Sequence, residues 1–115
     1  MLAISPGVSA AFAAQRIPEV ALQMAEVIAT ANPDLAATMP RDELNRRALA
    51  GTQVSEHYGM QSSRDIMLLC LAHAIFGPDM LFRPGFEWVA PLLQEPVEGS
   101  DTRAYRLHLR LSELG

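Results

Sequence analysis

Residues 58–88 read YGMQSSRDIMLLCLAHAIFGPDMLFRPGFEW, and this stretch decides the fold. Tyr58-Gly59 closes one helix, because glycine takes up the left-handed conformation that commonly ends helices. Ser62 with Asp65 three residues later has the form of a capping box, although Asp is shorter than the usual Glu. The helix opened there, Ser62–Phe76, carries two apolar stripes: Ile66, Leu69, Cys70, His73 and Ala74 on one, Leu68, Leu71 and Ile75 on the other. A helix with no face left for water belongs at the centre of a domain, between other helices. Gly77-Pro78 stops it. The loop Asp79–Gly85 that follows carries Met80, Leu81 and Phe82 and is too apolar to be solvated, so it is expected to fold back on the core. Phe86–Gln94 reads as a short helix with Pro91 in its first turns, and Trp88 is expected to anchor the loop onto the central helix.

Upstream, Ser5-Pro6 is a good helix opening, a side-chain acceptor followed by a residue with no N–H to leave unpaired; Ser9 is the alternative cap. Pro18 interrupts the pattern and predicts a short segment, Ser9–Ile17, followed by a better helix, Glu19–Ala31, with Val20, Met24, Val27 and Ile28 on one face. Asn32-Pro33-Asp34 ends it, and Leu35–Met39 is a connector with room for a helical turn. Pro40 starts the next helix, whose first-turn Asp42 and Glu43 suit the positive end of the macrodipole. Leu44, Ala48 and Gly51 share its inner face, and Gly51 points to a neighbouring helix at close approach. Pro96–Asp101 is a turn. Ser100 is expected to cap a last helix, Asp101–Leu114, with Ala104, Leu107, Leu111 and Leu114 along one side and Arg103, Arg106 and Arg110 beside them. The fold class is therefore all-α: one domain over residues 1–115, a compact bundle of five or six helices, with residues 1–18 its most loosely packed part.

Composition agrees. Half of the 115 residues are hydrophobic but only 6% are aromatic, a mix that favours helix over strand. The net charge is −4 and all nine basic residues are Arg, so there is no basic excess to hold nucleic acid. Cys70 is the one cysteine, which rules out an internal disulfide and fits a reducing compartment. The apolar start lacks the positive n-region of a signal peptide, and Ser5-Pro6-Gly7 breaks it. The longest apolar run, Ile66–Ile75, is too short to span a bilayer. A cytoplasmic protein without membrane contact is expected.

Few residues carry a chemical signal. Cys70 and His73 lie one turn apart on one face, but a zinc site needs three or four ligands and the sequence supplies no second Cys or paired His. A thiol among Leu and Met is also raised in pKa, which weakens it as a nucleophile. Asp42-Glu43 suits a helix start, and Glu95 with Glu98 suits a solvated turn. No phosphate-binding glycine loop, G-x-S-x-G or H-E-x-x-H occurs. No catalytic residue, cofactor or metal is therefore assigned. The most suggestive surface feature is the last helix, where Arg103, Arg106, Leu107, Arg110 and Leu111 could lie in a partner's groove.

From Asp42 to Leu93 the order of residues resembles a family of small all-helical proteins encoded beside toxin and type VI secretion genes in proteobacteria. The matching residues are Asp42-Glu43-Leu44, Tyr58-Gly59, Ser62, Asp65-Ile66, Gly77-Pro78-Asp79, Pro84, Phe86 and Trp88. They cover a little under half of the chain and form a packing signature, in which Gly59, Ser62, Asp65, Gly77, Pro78, Pro84 and Trp88 are structural. The chain departs at Met80-Leu81, where relatives carry Phe-Asp, at Glu87, where Pro is usual, and at Ser63, where Glu is frequent. The resemblance implies a non-enzymatic accessory or adaptor protein that binds another protein, a secreted toxin or a secretion component. Two alternatives stand beside it: an immunity protein that neutralises a cognate toxin, and a small enzyme using Cys70 and His73. Oligomeric state is not readable.

Overall fold

The computed structural model describes residues 6–60, 62–95 and 102–114, with side chains from residue 16 onward. Those residues form six α-helices: α1 Pro6–Ala31, α2 Pro33–Thr38, α3 Arg41–His57, α4 Ser63–Phe76, α5 Val89–Gln94 and α6 Arg103–Leu114. A 3-10 turn, Met80–Phe82, joins α4 towards α5, and there is no strand among the described residues.

The first helix corrects the reading of Pro18. It runs unbroken for 26 residues from Pro6, with Pro18 inside it and residue 9 already helical. Pro18 is exposed, so its ring takes no place in the packed face of the helix. The buried face is also rotated from the predicted one. Ala21, Met24, Ala25 and Ile28 pack inward, while Val27 is 50% exposed. Two alanines set this face because their small side chains let α1 close on α3 and α4.

The α3–α4 crossing is tighter still. A Cβ built on Gly51 would lie 2.6 Å from Cys70 Cα, 2.8 Å from Cys70 N and 2.9 Å from Leu69 O, so only glycine fits as the helices now stand. Buried hydroxyls beside this crossing bond to their own helix: Thr52 donates to Ala48 O at 2.8 Å and Ser55 to Gly51 O at 2.8 Å. The end of α3 is a Schellman motif. Gly59, at φ +74°, donates its N–H to Glu56 O, and Met60 donates to Ser55 O. Ser62 Oγ then accepts from Asp65 N at 3.1 Å and opens α4, forming one half of the expected box. The other half is absent because the Asp65 carboxylate accepts from Thr102 Oγ1 instead, at 2.7 Å.

The fourth helix is central, as its composition requires, and divides the interior in two. Towards α1 and α3, Cys70 and Ala74 join Ala21, Met24, Ala25, Ile28, Leu44 and Ala48. Towards α5 and α6, Leu69 and Ala72 join a cluster that includes Met80, Val89, Leu93, Ala104 and Leu107. Its second predicted stripe is not fully covered: Leu68 and Leu71 are half-buried and Ile75 is 55% exposed. The loop after α4 folds back only in part. Met80 is buried, whereas Phe82 is 89% exposed. Arg83 to Phe86 make a turn closed by Phe86 N to Arg83 O, with Pro84 and Gly85 (φ +93°) at its two central positions, the type II arrangement.

The last helix begins at Arg103, and the hydroxyl that caps it belongs to Thr102, which accepts from Tyr105 N at 3.2 Å. The predicted cap Ser100 and the predicted turn 96–101 lie outside the described residues. Ala104, Leu107 and Leu111 face the core, while Leu114 at the end is exposed.

Candidate functional site

Cys70 and His73 sit on the inner side of α4, both essentially without solvent contact. The Cys70 thiol lies 3.3 Å from Ala48 O, to which it donates, and 3.3 Å from Thr52 Oγ1. Burial pushes it up to about 11, against a smaller lowering by the Thr52 hydroxyl, so it stays a thiol at neutral pH. His73 Nδ1 is 2.8 Å from Leu69 O, and because a carbonyl only accepts, this nitrogen carries the proton. Its Nε2 has no hydrogen-bond partner among the described residues. Burial lowers the His73 pKa, against a smaller raising by the bond to Leu69 O. Cys70 thus ties α4 to α3 through Ala48 O and Thr52 Oγ1, whereas the one hydrogen bond of His73 is to its own helix. Among the described residues no group of three or more His, Cys, Asp or Glu is placed to hold a metal ion.

The residues expected to meet a partner on α6 are placed differently from the prediction. Leu107 is 1% exposed and Leu111 6%, so the leucine seam packs on the chain's own core. Arg103 is also internal in effect: one guanidinium nitrogen donates to Leu93 O at 2.6 Å and another to Tyr58 O at 2.9 Å. These carbonyls lie at the C-terminal ends of α5 and α3, where helices leave acceptors unpaired. Arg106 pairs with Glu95 at 3.8 Å on the surface. Arg110 lies over the Trp88 indole at 4.8 Å. Trp88 itself is half-buried against the α5–α6 side of the core, with its N–H donated to Gly85 O at 3.0 Å. Arg106 and Arg110 therefore stay near the surface, while Arg103, Leu107 and Leu111 hold the fold together.

The same use of arginine recurs at the end of α4. Arg47 donates to Ala74 O at 2.9 Å and Arg83 to Phe76 O at 2.5 Å. Arg47 also joins Arg46 on Glu43, and their hydrogen bonds hold the Glu43 carboxyl down at about 2.

An open groove of about 430 Å³ lies where α3, the Pro78–Phe82 segment and α5 meet, a surface the sequence reading missed. Ala50, Gln53, Val54 and His57 form its α3 wall, with Leu81 and Phe82 on the opposite wall. Tyr58 completes the α3 end and stands edge-on to His57, ring centres 4.8 Å apart. The i, i+3, i+4, i+7 spacing of residues 50, 53, 54 and 57 was visible, but Gln53 and His57 mask it as a polar face. A mostly apolar concavity with a few polar groups is the general form of a binding site.

No family model matches the chain, and no curated protein or solved structure matches it.

Proposed function

We propose that this chain is a non-enzymatic accessory or adaptor protein that binds another protein, in the setting implied by the resemblance noted above: a type VI secretion or toxin-effector locus, with the protein acting in the cytoplasm. The observation that supports protein binding is Phe82, 89% exposed on the rim of the α3–α5 groove. Burying a phenylalanine in a partner contributes roughly 1.5–3 kcal/mol, and aromatic side chains in desolvated pockets are common anchors of protein interfaces. Arg103, Leu107 and Leu111 are engaged in the fold, which leaves this groove a better contact surface than the last helix. No described helix is long and apolar enough to cross a membrane.

The test is co-expression with each protein encoded by the neighbouring genes, followed by co-purification of the wild type and of Phe82→Asp. Because Phe82 is exposed, the variant should melt within about 3 °C of the wild type. Formation of a complex by the wild type and its loss in Phe82→Asp is the expected result. A complex that forms equally well with the variant removes the groove, and no complex with any neighbour removes the proposed role. Growth rescue by this protein in cells expressing a neighbouring toxin would favour the immunity role instead.

A further inference from the structure

We draw no further inference here: the strongest candidate, the apolar surface groove between α4 and α6 lined by Leu71, Ile75, Phe76 and Leu111, carries none because nothing in the structure shows what covers it.

Discussion

Replacing Gly51 with alanine sets helix propensity against packing, and the structure decides which wins. In an unobstructed helix interior the change stabilises by about 1 kcal/mol, since glycine loses more backbone freedom on folding. At this position the new Cβ would sit 2.6 Å from Cys70 Cα, with Cys70 N and Leu69 O at 2.8 and 2.9 Å. Ordinary carbon–carbon contact is about 3.5–4.0 Å, so α3 and α4 must part locally by roughly 1 Å. All three obstructing atoms are main chain, so no change of rotamer relieves them. Overpacking of this kind typically costs about 1–3 kcal/mol, and at the closest crossing of the two central helices the upper end applies. Offset by the propensity gain, Gly51→Ala should destabilise by about 2 kcal/mol, a drop in melting temperature of roughly 6–12 °C for a chain of this length. Urea denaturation gives the free energy directly, provided the m-value is unchanged. Ala50→Gly, one residue away on the groove side, isolates propensity and should cost about 1 kcal/mol. Gly51→Ala equal to or more stable than the wild type would refute the close crossing, and with it the packing assigned to α4.

Three further perturbations test other parts of the same account. Cys70 titrates at about 11 in the folded chain against 9.0 for a free thiol, so the unfolded state ionises first; stability from this group is full below pH 9 and declines as pH rises towards 11, by about 2–3 kcal/mol in all. With no Lys in the chain, few other groups titrate there; urea melts of the wild type and Cys70→Ala should diverge over this window, and parallel alkaline losses would mean the thiol is not buried as described. Trp88→Ala should cost about 2–3 kcal/mol and Arg110→Ala about 0.5–1 kcal/mol, with a non-additive double mutant because the guanidinium loses its ring; strict additivity would remove the cation–π contact. Arg103→Lys should destabilise by about 1–3 kcal/mol, since one ammonium cannot replace a fork that reaches two carbonyls; full retention of stability by Lys would show that charge alone suffices.

What was legible from sequence was local or forced by chemistry. Gly59 ends α3 and Ser62 caps α4 because their partners lie within five residues, and Gly51 announced a close neighbour because few other reasons put glycine in mid-helix. Pro18 misled because its local cost, one lost hydrogen bond and the crowding of a carbonyl, is outweighed by the packing of Ala21, Met24, Ala25 and Ile28 just beyond it. The face of α1 was misjudged because hydrophobicity favours Val27 over Ala25, whereas close packing favours the smaller residue. Of the groove only the spacing of its α3 wall was visible: its walls come from α3, the 78–82 segment and α5, and only the tertiary fold brings them together.

The arginines show that a basic stripe beside an apolar seam need not be free of the chain's own fold. Spacing says which side chains share a face, but it is silent on where a long side chain ends. Arg103 reaches carbonyls 10 and 45 residues away, and Arg47 one 27 residues away. Each of those acceptors lies at a helix C-terminus, where unpaired carbonyls and the negative end of the macrodipole attract a cation. A planar guanidinium can serve two acceptors at fixed angles, which an ammonium on a flexible stem does less well. Short helices multiply such ends: α5 has only six residues, so its last four carbonyls lack an i+4 partner within the helix. Arg103 supplies a donor from elsewhere in the chain to this short helix, and Arg47 and Arg83 do the same for the end of the longer α4. The charge that looked available to a partner on α6 is thus, at Arg103, a consequence of how the bundle closes.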